Sequence, residues 1–459
     1  MHKLVVINAV ALTPSLISPE QTPRLHAFRA AGAAATIAAV LPAVTTTVQS
    51  TYLTGQWPAQ HGIVANGWYF RDTAEIRFWL QSNTLVQGEK VWDRARKLDP
   101  AFTVANLFWW YNMYATVDYA VTPRPMYPAD GRKIPDVHTF PQNLRTHLQQ
   151  KLGQFPLFNF WGPATDVKAT TWIADASIEV DRLHNPTLTL IYLPHLDYVL
   201  QKEGPAGPTV PAHLRQLDNE CGKLIDHYQS RGARVIILSE YGITPVSRPV
   251  HLNRALRDAG LLTIREELGR ELLDAGASQA FAVADHQLAH VYVKDPVRIP
   301  EIKRLLQSIP GVASVLTADE QESISLNHPR AGELVCLAQN DAWFTYYFWQ
   351  DDAKAPDYAR TVDIHRKPGY DPAELFLDPT LTAPKLKIAL TLAKKKLGLR
   401  TLMQVIPLDA TMVKGSHGLA PTNPNQGPLF LTTEKPLLPS NHLLPTDIAN
   451  QILSHLQTP

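Results

Sequence analysis

The sequence predicts an α/β fold: a mostly parallel sheet flanked by helices, carrying an α+β insertion. Three observations lead there. Four short aliphatic runs, LVVINAV (4–10), FTVANLF (102–108), TLTLIYL (187–193) and RVIILS (234–239), show almost no polar alternation, as expected of strands buried on both faces of a parallel sheet. Between the last two runs, Leu214, Leu217, Cys221, Leu224, Ile225 and Tyr228 recur at helical spacing and stop at Gly232, giving a strand, crossover helix, strand unit. The chain is 459 residues long, more than one compact core usually holds, which leaves room for the insertion.

In chain order, LVVINAV is the first strand, since its apolar run is too short for a secretory leader and no small-residue cleavage site follows. The turn LPAV leads into TTTVQSTYLTG, where Thr45 to Thr47 either start a helix or include a nucleophile at a helix N-terminus. After Ile243 a polar helical stretch, the strand HVYVKD with His286 and His290 on one face, the helix PEIKRLLQSIPGV and the strand VASVL read as a small α+β unit. Residues 340–410 read as irregular, with the aromatic block WFTYYFW and several prolines. PLFLTTEKPL and PTDIANQILSHL read as a last strand and a helix capped by Thr446 or Asp447. The expected division is a core over 1–244 and 411–459, with the insertion over 245–410.

Composition narrows the function classes. Lys plus Arg number 43 against 42 Asp plus Glu, so no global field points to a nucleic-acid polymer or an anionic membrane surface. Cys221 and Cys336 are isolated, which argues against a disulfide framework or a thiolate zinc site. No apolar segment approaches the length needed to span a bilayer, and the expectation is a cytoplasmic protein without a membrane span.

Ligands of open α/β sheets bind beyond the carboxyl ends of the strands. Asn8, Thr45, Asp197, Glu240 and Tyr241 all follow apolar runs, and a hydroxyl among oxygen donors at one sheet edge suits a metal-assisted site. Caps and turn residues are the competing explanation.

These residues carry a resemblance. LPAVTTTVQSTYLTGQWPAQHGIVANGWY is similar to the nucleophile segment of the nucleotide pyrophosphatase/phosphodiesterase family of the alkaline phosphatase superfamily. In register, Thr45 falls on the nucleophile, and Thr54, Gly55, Pro58, His61, Gly62 and Asn66 fall on the pattern that follows. YLPHLDYVLQKEGP, LSEYG and GSHG (415–418) resemble later family segments in the same order. The resemblance implies an alkaline phosphatase-like fold and cleavage of a small phosphorylated substrate, a phosphodiester or phosphomonoester, through a Thr45 phospho-enzyme at a two-zinc site. It implies one metal at Asp197, Gln201 and His417 and another at Asn8, Thr45, Glu240 and Tyr241, with Asn66 stabilising phosphoryl charge.

Four of those positions depart from the family's residue types: Asn8, Gln201, Glu240 and Tyr241. Three readings follow. A harder ion, Mg or Mn, replaces zinc on the oxygen donors Asn8, Glu240 and Asp197; or His195, Asp285, His286 and His290 complete the zinc shell; or the chain is a pseudoenzyme that binds a small phosphorylated or anionic ligand. Phosphonate and sulfate ester hydrolysis are further superfamily chemistries. His61 is expected to order the loop before Asn66. FWWYNMY (108–114) and the turn holding His365, Arg366 and Lys367 are candidate pocket walls, with packing and an exposed basic turn as the competing readings.

Overall fold

A computed structural model describes residues 1–457. The chain runs through β1 (Leu4–Ala9), β2 (Ala33–Ile37), β3 (Val104–Leu107), β4 (Tyr119–Pro123), β5 (Val137–Phe140), β6 (Leu188–Leu193) and β7 (Arg234–Leu238). It continues through β8 (Ala280–Asp285), β9 (Leu288–Val293), β10 (Val312–Thr317) and β11 (Leu334–Ala338), then ends with β12 (Leu429–Thr432) and β13 (His442–Leu443). The helices that matter below are α1 (Thr45–Thr54), α2 (Val167–His184), α3 (His195–Glu203), α4 (Val210–Ser230), α5 (Pro384–Lys396) and α6 (Ile448–Leu456).

Nine strands form the main sheet in the order β13-β2-β12-β7-β1-β6-β3-β4-β5. β1 lies parallel to both β6 and β7, and β3 lies parallel to β6 and β4. Every residue of β1 and β6 is buried, which explains why their sequences lack alternation. α3 and α4 make the crossover from β6 to β7. At their carboxyl ends Asn8 pairs in register with Leu238 on one side and Tyr192 on the other, so side chains leaving three adjacent strands share one edge. Among the described residues no helix is long and apolar enough to cross a membrane.

Residues 245–410 carry a second, antiparallel sheet in the order β8-β9-β11-β10. The aromatic block at 343–349 lies buried against it, with Trp343, Phe344, Tyr346, Tyr347 and Trp349 almost wholly removed from solvent. Rings of that size dominate a core's hydrophobic stabilisation.

Three expectations are corrected. His286 and His290 do not share a strand: His286 sits at φ +60° in the two-residue turn between β8 and β9, and only His290 is in a strand. Residues 340–410 are not irregular throughout, because α5 forms there. Its Leu, Ala and Lys residues are strong helix formers, but its apolar residues fall on two opposite rows and leave no single periodic face. Asp447 precedes α6 without capping it; its carboxylate accepts from the Leu444 N–H at 2.9 Å.

Candidate active site

Thr45 is the first residue of α1, a helix whose ten residues are all buried. The helix ends at Gly55, where φ is +69° and a Cβ would lie 3.2 Å from the Thr446 carbonyl, so a residue without a side chain is needed. The short turn Pro58–His61 closes the same way on Gly62 at φ +75°. His61 ties the two together: Nε2 donates to Thr51 Oγ1 at 2.9 Å and Nδ1 accepts from the Ile63 N–H at 3.1 Å. Burial pushes its imidazole down to about 3, so it is neutral and serves as a strut. The loop so shaped delivers Asn66 to the head of α1, where its Oδ1 accepts from the Thr46 N–H at 3.1 Å. One of the free amides at the head of α1 is therefore occupied. The Asn66 N–H and Nδ2 in turn donate to the two oxygens of Asp285, at 2.8 and 3.2 Å.

Two buried carboxyl groups face Thr45. Glu240 follows β7, and its Oε1 accepts from Asn8 Nδ2 and from Gln49 Nε2, each at 2.6 Å; the Thr45 hydroxyl lies beside it. Asp197, in the first turn of α3, accepts from the Tyr241 hydroxyl at 3.1 Å and from Gln201 Nε2 at 2.7 Å. The Tyr241 oxygen is left to accept from Thr45 Oγ1 at 3.2 Å. His417 donates from Nδ1 to the Ala43 carbonyl at 2.7 Å and holds Nε2 3.8 Å from Asp197 Oδ1. Desolvation raises Asp197 to about 7 and Glu240 to about 8, and lowers His417 to about 3. The imidazole is thus neutral, with a lone pair toward Asp197.

The structure therefore brings together Asn8, Thr45, Asn66, Asp197, Gln201, Glu240, Tyr241 and His417. The other candidates separate. His195 bonds Gln216 and His213 at 3.0 Å on the α4 side. His290 Nε2 donates to the Val64 carbonyl at 3.0 Å and its Nδ1 accepts from the Gly332 N–H at 3.2 Å, a wholly structural placement. His286 is the exception, its ring tilted at 36° with its centroid 3.6 Å from that of His417 and lining the same cavity, while His365 lines the outer cavity. Gln49 was not anticipated, although it stands four residues after Thr45 and so on the same face of α1. Asp285 accepts hydrogen bonds from Asn66 with both of its oxygens.

Thr45, Asn66, Asp197, Tyr241 and His417 form the floor of a cavity of about 1180 Å³. Aromatic rings make one wall: Trp110, Trp79, Tyr370, Trp161 and Tyr198 follow one another with centroids 4.9, 5.8, 5.4 and 5.8 Å apart. Of the segment 108–114, Trp110 lines the cavity, Phe108, Trp109 and Tyr111 pack inside, and Tyr114 is exposed. Lys367 is not an exposed cation; it is buried in ion pairs with Asp371 at 3.2 Å and Glu374 at 2.7 Å.

The model of the type I phosphodiesterase/nucleotide pyrophosphatase family matches residues 4–371. The chain belongs to that family. It is a family of hydrolases, and the fold is of the alkaline phosphatase type. Murine ectonucleotide pyrophosphatase/phosphodiesterase 5, solved in an inactive form in complex with AMP, superposes with a TM-score of 0.60 at 15% identity, over 99% of this chain and 95% of that one. Phosphonoacetate hydrolase from Sinorhizobium meliloti 1021, in complex with phosphonoformate, superposes at 0.61 and 14% identity, over 99% and 96%. At these identities the likeness is one of fold. No curated protein sequence matches the chain.

Members of this phosphodiesterase family generally use divalent metals, and the donors present here test which kind suits this chain. Among the described residues no group of three or more His, Cys, Asp or Glu is placed to hold a metal ion. The amides of Asn8 and Gln201 and the Tyr241 phenol direct hydrogens at the two carboxyl groups, where a paired-zinc centre would present imidazole and carboxylate ligands. Yet Asn8 Oδ1 and Glu240 Oε2 are buried without any hydrogen-bond partner, and the Thr45 hydroxyl lies beside Glu240. Unpartnered buried acceptors are costly, and an all-oxygen set of this kind fits one hard cation better than two zinc ions.

Proposed function

We propose that the chain cleaves a small phosphorylated substrate, a phosphoester or phosphonate, with Thr45 Oγ1 as nucleophile. The observation that carries this is the hydrogen-bonded series Thr45, Tyr241, Asp197 at the floor of the cavity. As the Oγ1–P bond forms, the bond from phosphorus to the leaving group breaks and that group departs with the electron pair, while the Thr45 proton passes to the Tyr241 oxygen and the phenol proton to Asp197. Water then attacks the phosphorylated Thr45, releasing the phosphoryl group and restoring the hydroxyl. A carboxyl group at about 7 is matched to accept a proton near neutral pH. The second N–H of the Asn66 amide, whose first is held by Asp285, donates to the phosphoryl oxygens. Asn8 Oδ1, Glu240 Oε2 and Thr45 Oγ1 would hold one Mg or Mn ion. When bound, that ion lowers the pKa of the Thr45 hydroxyl and neutralises charge on the phosphoryl group. AMP and phosphonoformate in the related structures support a ligand with one phosphoryl or phosphonyl group, and the aromatic wall supports an apolar or aromatic remainder.

Turnover of an aryl phosphodiester by wild type and by Thr45→Ala, with Mg, Mn or Zn added singly, tests this reading. The variant is expected to lose about a thousandfold or more in kcat, as removal of a nucleophile does; undiminished activity refutes the assignment. A second reading, capture of an anion without turnover, is favoured by the donors that Asn8, Gln201 and Tyr241 aim at Asp197 and Glu240. Binding of AMP by a wild type that turns over nothing with any of the three metals would establish it.

A further inference from the structure

α5 stands at the mouth of the cavity, and no residue in it is buried. Ile388, Leu392 and Lys395 face the cavity. On the opposite side Leu386, Leu390 and Leu397 are 59, 54 and 79% exposed. At about 100° per residue these three fall in one row along the helix. Lys387 and Lys394 lie along one flank of that row, whereas Lys396 joins Lys395 on the side that lines the cavity. The segment continues into Leu399 and Arg400, with Leu399 55% exposed. No acidic residue occurs between Asp378 and Asp409. The near-zero net charge of the whole chain conceals this local excess of cations.

We propose that α5 docks the protein on an anionic lipid surface, lying in the plane of the interface with the cavity mouth turned toward it. A leucine row bordered by Lys387 and Lys394, in a stretch without any acidic residue, matches acyl chains beneath negatively charged headgroups, because lysine stems follow the apolar surface while their ammonium groups reach outward. Three large side chains more than half exposed on one row are left without a protein partner. A second copy of this chain is the poorer occupant, since pairing α5 with itself would set the same lysines against each other. The docked arrangement concerns the helix's outer row alone and is independent of which reaction the cavity performs.

The test is co-sedimentation of the full chain with vesicles of phosphatidylcholine alone and of phosphatidylcholine mixed with phosphatidylglycerol. Wild type is expected to partition onto the phosphatidylglycerol vesicles and to be released by salt. Lys387→Glu combined with Lys394→Glu should weaken partitioning by at least about 25-fold, from about fivefold for each lysine near an anionic surface. Leu386→Glu, Leu390→Glu and Leu397→Glu together should reduce it to the phosphatidylcholine level. Circular dichroism and thermal unfolding report whether each variant is folded, and neither variant touches the cavity lining. Failure of wild type to bind the anionic vesicles overturns the proposal, as does equal binding by the folded variants. A dimer seen by light scattering without lipid and dissolved by the triple leucine variant would also overturn it, by making a second copy the occupant.

Discussion

Replacing Glu240 by Gln isolates the energetic consequence of a carboxyl group buried at the end of β7. The side chain is fully buried and desolvation raises it from 4.5 to about 8. A carboxyl group whose folded-state value lies above its unfolded one leaves stability untouched below the unfolded value and lowers it as pH rises toward the folded one. At about 1.4 kcal/mol per unit, the metal-free protein loses about 3 kcal/mol from this group between pH 5 and pH 8. Gln has the same shape and carries no charge; its oxygen can still accept from Asn8 and Gln49, and its amide can donate to Thr45. Unfolding entropy of about 2.1 cal/mol/K per residue makes 1 kcal/mol worth about one degree in a chain of this length. In EDTA, calorimetry should therefore find Glu240→Gln melting about 4 °C above wild type at pH 8 and about 1 °C above it at pH 5. Added Mn should raise the wild-type Tm at pH 8 and leave that of the variant unchanged. An equal difference at both pH values would refute the argument, because the effect would then be one of packing and not of charge.

Two further outcomes follow from the same site and its wall. Asp285→Ala leaves the Asn66 N–H buried without its partner and frees the Asn66 side chain from the head of α1; chemical denaturation should show a loss of about 2 kcal/mol, and KM for an aryl phosphodiester should rise. Lys367→Met strands Asp371 and Glu374, whose burial already raises both carboxyl groups. A loss of about 3 kcal/mol or more is expected, larger at pH 8 than at pH 5 because the stranded carboxyl groups must stay protonated to remain buried.

The unalternating runs at 4–10, 187–193 and 234–239 were legible as central strands because burial on both faces leaves no polar position to obscure them. The run at 102–108 was legible too, though the strand ends at Leu107 and Phe108 turns to φ +69°. The segment from Thr45 to Asn66 was legible as a unit through its resemblance to the family's nucleophile segment, in which Gly55 and Gly62 meet backbone requirements at φ +69° and +75°. α5 was not, since helix propensity without one apolar face leaves no periodic signature. The hairpin that places His286 at the rim and His290 in the sheet also escaped the pattern, because spacing along a strand assumes that the strand does not turn.

What the sequence determined by itself is the strand order's raw material, the position of Thr45 at a helix head, and the identities of the donors that stand where a metal centre's ligands are usual. The strands depend on local periodicity, which the chain carries wherever it goes, whereas the placing of Thr45 and of the donors came from the resemblance of their segments to the phosphodiesterase family. Only the tertiary structure decided that Asn8 and Gln49 share Glu240, that Tyr241 bridges Thr45 to Asp197, and that Asp285 holds Asn66 across 219 residues of chain. Hydrogen bonds between side chains so far apart in sequence are set by how β1, β6, β7 and the insertion sheet pack, and burial in that packing is what moves two carboxyl groups into the neutral pH range.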